Sequence, residues 1–479
     1  MSEDQIVYRE RGELKTLDEL LNLLKIDTTG LHSVALEGDS RLIRSPHKLV
    51  DAVSTVQLLI GYAAAAVWHA RTGKTSNIRV NTIDALHSLH SSHFVWQQGA
   101  YLEVGAEYVP INGFYSTRDD RQVLLCAGPP YMKLLNGYLE FFEAANNRQS
   151  IERAVARYNA GELEDALAAL GLPCSRAFDR DEWLLHPQGK ALSNSPIIEI
   201  EKIGDGDPVP FDNNGRYPLD GIRVMDFTHV LAGPHSTQSL AELGAHVLHV
   251  SSPLHADTLA QHLGVDMGKY CAYLNLGESN QLQTMHRLCA DADVFSTSYR
   301  PSVNERFGLT PQELAARSSK GIIALSVNAY GHTGPWAGRA GFDPNGQAAS
   351  GFASGEGGGV QTPKLSPVFY LADLMTGHFA AAGMISALLR RAREGGSWHV
   401  KVSLARSAMW VQELGKWPEE EIDRLPATDT YPYQTRTVHT AYGDVATLQN
   451  AVRYEGLKLP EADRLVPYGA DLADWNAYR

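Results

Sequence analysis

Two residues of this sequence stand where side-chain chemistry would concentrate. Asp373 follows the apolar run Val368-Phe-Tyr-Leu-Ala372 and precedes an apolar stretch that reaches Leu389. A carboxylate there sits near a helix start in apolar surroundings. It is poorly solvated, the positive end of the helix dipole favours its anion, and such a group can act as a nucleophile. Asp is also a preferred helix cap, and a capping role alone would account for it. His229 lies in the turn His229-Val-Leu-Ala-Gly-Pro234, after the β-rich run Ile222–Phe227. Turns at the carboxyl ends of strands are where α/β sheets bind ligands; an ordinary polar loop residue is the alternative. Gly355-Glu-Gly-Gly-Gly359 is flexible enough to form a lid that excludes water, or a plain surface loop. Cys126, Cys174, Cys271 and Cys289 make no CxxC or other metal spacing, so they read as reduced, buried thiols and no metal site is expected.

These residues need a frame, and the composition permits a large one. The chain has 479 residues, of which 44% are hydrophobic and 20% charged. That is ordinary globular composition, and it excludes disorder, collagen and coiled coil. The net charge of −13 repels phosphate backbones and anionic lipid, so neither nucleic acid nor membrane is an expected partner. The polar N-terminal stretch is not a signal peptide, and the longest apolar runs, Leu58–Trp68 and Phe379–Leu389, are too short to span a bilayer. A cytoplasmic location is expected.

The Gly/Pro/Asn/Asp-rich stretch Gly204–Gly215 has no periodicity and reads as a linker between two halves. After it, strand and helix signals alternate. Ile222–Phe227, His246–Val250, Ala292–Ser296 and Gly321–Val327 read as strands, and Pro234–Leu243 as a helix that opens on proline and stops before Gly244. Repeated βα units imply a parallel sheet with right-handed crossovers. The turn after the first strand carries no GxGxxG, so a dinucleotide site is not supported. An internal correspondence spans the halves: Asp51–Asp84 aligns without gaps on Asp373–Arg406 at an offset of 322. In both copies a small-residue helix ends in Arg-x-Gly and enters a strand. Asp51, the counterpart of Asp373, reads as a cap or relic.

Several segments together carry a resemblance. They are Leu219-Asp-Gly-Ile-Arg-Val-Met-Asp-Phe-Thr-His-Val-Leu-Ala-Gly-Pro234, Ala292-Asp-Val-Phe295, Tyr299-Arg-Pro301, Arg306-Phe-Gly-Leu309, Ala329-Tyr-Gly-His-Thr-Gly-Pro335, Gly341-Phe-Asp343 and Leu371-Ala-Asp373. With them the sequence resembles the class III CoA-transferase (CaiB/BaiF) family. The C-half is similar to the family's first half. The N-half, through Tyr115-Ser-Thr-Arg-Asp-Asp and Glu182-Trp-Leu-Leu-His-Pro187, is similar to its second half. The order implies two family copies fused, each lacking the part the other keeps.

The resemblance implies an α/β fold, with a large domain built on a Rossmann-like parallel sheet and a smaller α+β domain. Its divisions would be an N-terminal segment 1–85 packing on the large domain, a small domain 86–205, a linker 206–217, the large domain 218–415 and a C-terminal extension 416–479. It implies transfer of CoA between an acyl-CoA and a carboxylic acid, with CoA as substrate and no permanently bound cofactor. Asp373 and His229 would be the catalytic residues. Val230, Ala232, Gly233, Tyr299, Arg300, Arg306, Phe307 and Phe342 would line the CoA site, under a lid at Gly357, Gly358 and Gly359. A homodimer, as two threaded rings, is the implied assembly. The sequence also departs from the pattern: Asn275-Leu-Gly-Glu-Ser279 carries a negative charge where the family has two positive ones, and Ser251–Asp257 replaces a Gly-Asp…Arg stretch. Two other readings therefore stay open. One is a relative with changed chemistry, an isomerase, racemase or lyase acting on a carboxylate or acyl-CoA, with or without CoA. Racemisation ranks lower, because Phe342 stands where the family's racemases place a histidine. The other is a non-catalytic degenerate member.

Overall fold

Each half of the chain is organised around one long apolar helix. The structure, a computed structural model, describes residues 8–9, 15–102, 109–128, 131–254, 257–368, 370–427 and 432–478. In the N-half, β1 (Leu31–Glu37), α1 (Leu49–Thr72) and β2 (Ser76–Asn81) form one parallel βαβ unit. A small domain follows. Strands Gly113–Ser116, Gln122–Leu125 and Cys174–Arg176 pair antiparallel, and helices Met132–Phe142, Arg148–Val155 and Ala160–Ala169 close a separate core around Tyr115, Tyr138, Phe142, Ile151 and Leu163. The strand β3 (Glu199–Gly204) then leads into a stretch without helix or strand. Arg71 pins that stretch by donating to the carbonyls of Asp212, at 2.5 Å, and Asp220, at 2.7 Å.

The C-half supplies β4 (Arg223–Phe227), α2 (Ala232–Glu242), β5 (His246–Ser251), β6 (Tyr270–Tyr273), β7 (Val294–Thr297), α3 (Pro301–Phe307) and β8 (Ile323–Asn328). After these come α4 (Asp343–Ala349), α5 (Phe352–Gly357), α6 (Leu371–Glu394) and β9 (Ser397–Ser403). The sheet order is β6-β5-β4-β7-β8-β9-β3, all parallel except the last pair. The α/β class read from the alternation is therefore the observed one, with β3 of the N-half closing the edge. The C-terminal stretch is woven in: β10 (Val452–Glu455) pairs with β2, and beyond it Asp471 accepts from the N–H of Cys271 in β6 at 2.8 Å.

Three local expectations are corrected. The helix α2 begins two residues early, at Ala232, so Pro234 is its third residue. Its missing N–H still falls among the first-turn donors that have no intrahelical partner, and so costs nothing. The strand read at Ala292–Ser296 begins later, at Val294, because Asp293 serves as an anchor: its carboxylate accepts from Arg391 at 2.8 Å and from the N–H of Arg223 at 2.9 Å. The third concerns membrane-spanning length. α1 and α6, each 24 residues, are long and apolar enough to cross a bilayer, although the uninterrupted apolar runs within them are short. The protein uses them as core: 94% and 100% of their most apolar windows are buried.

The two long helices lie on their strands in the same way. Ile78 of β2 sits between Val34 on a parallel neighbour and Tyr454 on an antiparallel one. Val400 of β9 sits between Leu325, parallel, and Ile200, antiparallel. Over these strands each helix carries a glycine. A Cβ on Gly61 would stand 3.0 Å from Ile78 and 3.2 Å from Val452, and one on Gly383 would stand 2.8 Å from both Val400 and Ile198. Gly383→Ala is expected to cost about 1–3 kcal/mol, the range for overpacking a dense core. Gly61→Ala should cost less. Denaturant unfolding of both variants checks the order.

Candidate active site

The start of α6 sets the geometry. A helix leaves its first N–H groups without intrahelical partners. Here a second carboxylate takes two of them: Asp343 Oδ1 accepts from Ala372 at 2.6 Å and from Asp373 at 3.0 Å. Its other oxygen, Oδ2, accepts from the Gln347 amide at 2.6 Å. Asp373, in the same first turn, is also buried, yet its carboxylate has no hydrogen bond from any described residue. Burial raises the proton affinity of both groups. For Asp343 the three donors oppose the rise; for Asp373 the neighbouring Asp343 charge adds to it. The expectation that the helix dipole would keep Asp373 ionised is thus corrected: the amide dipoles serve Asp343. Cys126 of the small domain lies close by. Burial pushes its thiol up to about 12, and the charges of Asp343 and Asp373 push the same way.

The loop after β4 forms the facing wall. Its foundation is a buried charge cluster. Asp226, His249 and Asp266 bring ligand atoms within 4.8 Å of one another, as a metal site would. The cation at the centre is the Lys269 ammonium, which donates to Asp226 at 2.9 Å, Asp266 at 2.8 Å and the Pro234 carbonyl at 2.7 Å. With this pairing Asp226 is held below the usual carboxylate range despite its burial. The last of the three bonds ties the first turn of α2 to the sheet.

Above that foundation, the loop is drawn into an uncommon shape. Val230 has φ +67°, and its N–H donates to Asp257 Oδ2 at 2.8 Å. The His229 N–H donates to Ser298 Oγ at 3.0 Å, and its ring stacks on Tyr299 with centroids 4.5 Å apart. From the small domain Tyr131 reaches in. Its hydroxyl is 2.9 Å from Asp257 Oδ1 and 3.2 Å from His229 Nδ1, and its ring lies parallel to Phe342 at 6.0 Å. Burial, then Asp257, and further down Asp373, raise the Tyr131 phenol above its ordinary value.

The sequence-derived residues thus fall into three groups. His229, Val230, Tyr299 and Phe342 come together with Tyr131, and the Asp373 charge reaches that tyrosine. Ala232 and Gly233 are buried in the first turn of α2. Arg300 caps the start of α3, and Arg306 and Phe307 are its last two residues. Both arginines are exposed, with Arg306 over the Phe307 ring at 5.2 Å and Arg300 reaching Gly171 of the small domain.

The glycine run is not the open loop expected. Gly355 to Gly357 end α5, Gly358 caps it with φ +81°, and the Gly359 N–H bonds back to Ser354 at 2.8 Å. Between them Glu356 is tied to Ser45 at 2.9 Å and His47 at 3.3 Å. Asp51 lies in the first turn of α1 and accepts from Ser40 at 2.5 Å. The sequence reading passed over Tyr131, Asp257 and Asp343 as site residues. Asp343 lay within the quoted segment Gly341-Phe-Asp343; Tyr131 carried no signal, since its partners are about a hundred residues away in sequence.

The profile of CoA-transferase family III matches residues 22–202 and 219–446. Among curated relatives, acetyl-coenzyme A transferase nodX of Hypoxylon pulicicidum is 37% identical over 43% of this chain and 35% of its own length. Acetyl-CoA:oxalate CoA-transferase of Acetobacter aceti is 34% identical over 39% and 51%. Succinyl-CoA:glutarate CoA-transferase of Mus musculus is 31% identical over 41% and 47%. The matched stretches span about half, or less, of each of these relatives.

The Asp373 environment has a consequence for stability. Its folded-state pKa lies above that of the unfolded chain, so the stability its proton confers is complete below about pH 4 and lost as pH rises through the folded value. Asp373→Asn keeps a neutral side chain at every pH. The variant is expected to melt roughly 2 °C or more above the parent at pH 8, with the gap closing toward pH 4. Paired thermal melts across that range check the sign.

Proposed function

Because the chain belongs to CoA-transferase family III, we propose that it moves CoA from an acyl-CoA to a carboxylic acid, with Asp373 as the nucleophile. The observation that carries this reading is the bare, buried Asp373 carboxylate beside an Asp343 that absorbs the helix N–H groups. Once ionised, such a group is poorly solvated and reactive. A carboxylate oxygen of Asp373 attacks the thioester carbonyl, the C–S bond breaks, and the CoA thiolate leaves an acyl–aspartyl anhydride. The thiolate then attacks the aspartyl carbonyl, which releases the donor acid and leaves an aspartyl–CoA thioester. The acceptor acid runs both steps in reverse, and no net proton is exchanged. The names of the relatives, as transferases acting with oxalate and with glutarate, support a carboxylate acceptor.

We further infer that one chain completes the site by itself. Tyr131 of the N-half meets His229 and Asp257 of the C-half, which supports assembly in cis and makes the implied homodimer unnecessary for catalysis. The matching placement of α1 on β2 and α6 on β9 supports an origin by duplication, with Asp51 a structural remnant. Arg300, just before α3, and Arg306, within it, are exposed and are the cations this reading assigns to the CoA phosphates.

The test is CoA exchange between an acyl-CoA and a panel of short carboxylic acids. Asp373→Ala is expected to lower kcat/KM on the order of 10³-fold or more. Asp51→Ala should leave it within a few-fold. Full activity in Asp373→Ala would sink the reading. If the site assembles in cis, specific activity stays constant on dilution through the range in which any dimer dissociates.

A further inference from the structure

The transfer steps do not use the contact between Tyr131 and His229, yet its chemistry is determined. A phenol has one proton. Asp257 offers only acceptors: Oδ2 accepts from the Val230 N–H at 2.8 Å, and Oδ1 faces the Tyr131 hydroxyl at 2.9 Å. The Tyr131 proton therefore belongs to the bond with Asp257. The 3.2 Å contact between the Tyr131 oxygen and His229 Nδ1 must then run the other way, with the imidazole N–H donating.

The ring has little freedom to escape this arrangement. It is stacked on Tyr299, and Tyr131 stands edge-on to it at 6.2 Å. Its backbone N–H is held by Ser298. Burial keeps the imidazole below its ordinary pKa, against the pull of Asp257, so the ring is neutral at pH 7 and carries a single N–H. Nε2 has no hydrogen-bond partner among the described residues. The Tyr299 ring stacks on the imidazole, while Phe342, whose next residue is Asp343, stacks on Tyr131 at the Nδ1 side.

We propose that Asp257 and Tyr131, supplied by opposite halves of the chain, act as positioning residues that fix His229 as the Nδ1–H tautomer, so that Nε2 is a hydrogen-bond acceptor for a donor group, an amide N–H or a hydroxyl, on the ligand. The identity of that ligand rests on the transferase reading; the tautomer does not. In CoA, the pantetheine arm carries both kinds of donor.

The test uses the full chain labelled with ¹⁵N-histidine, with His229 assigned by loss of its signals in His229→Gln. The parent is expected to show a protonated Nδ1 and an unprotonated Nε2. Asp257→Asn should invert the pattern. Its amide oxygen can still accept from Val230, but its NH₂ now donates to Tyr131, which must turn its own proton toward Nδ1 and drive the imidazole proton to Nε2. Tyr131→Phe should leave a mixture of tautomers. CoA is the binding probe: both variants should weaken its binding about tenfold, the effect of one lost hydrogen bond. A parent His229 protonated at Nε2, or a spectrum unmoved by Asp257→Asn, overturns the proposal. If CoA fails to bind the parent chain at all, the transferase reading falls, and the ring signals alone decide the tautomer.

Discussion

The two bonds that Asp343 accepts from the first turn of α6 are the interaction on which the rest depends. They satisfy buried N–H groups that would otherwise be left without partners. They also place one carboxylate beside another in a water-poor site, with all the available donors on one of the two. Asp373 is left buried, with no hydrogen-bond donor on its carboxylate among the described residues. Such an arrangement costs folding stability, as strained and desolvated groups at reactive sites do, and it leaves a carboxylate reactive once it ionises.

Around that helix start, packing brings the second wall into reach. A Cβ on Gly377 would stand 2.9 Å from both the Ala232 carbonyl and the His235 ring, so α6 and α2 approach at a distance only glycine allows. The Lys269 ammonium anchors the first turn of α2 from below through the Pro234 carbonyl. Below the site, His378 of α6 links His235 of α2 at 3.2 Å to Gln57 of α1 at 3.2 Å. The carboxylate, the loop after β4 and the N-half helix are therefore joined by short-range contacts, although the chain visits them in the order α1, α2, α6.

Much of this was legible in the residue order. The parallel sheet followed from alternating apolar runs. Asp373 and His229 stood out because each lies at the end of a strong local signal. What could not be read depends on long-range approach. Tyr131 and Asp257 have no local pattern; they matter because the small domain folds back over the β4 loop. The glycines of Gly355–Gly359 suggest an open stretch, whereas Gly355 and Gly357 belong to α5, and Glu356 between them is secured to His47 and Ser45. Asp343 was quoted within a motif, but its capping role is set by Ala372 and Asp373, about thirty residues away.

The central claim is covalent participation by Asp373, and not by Asp343 or Asp51, which also lie in first helical turns. The direct measurement is peptide-resolved mass spectrometry after incubation with an acyl-CoA and trapping with hydroxylamine. The account predicts a hydroxamate on Asp373, with Asp343 and Asp51 unmodified. Modification of either of those in its place, or turnover without any trapped aspartyl adduct, would contradict it.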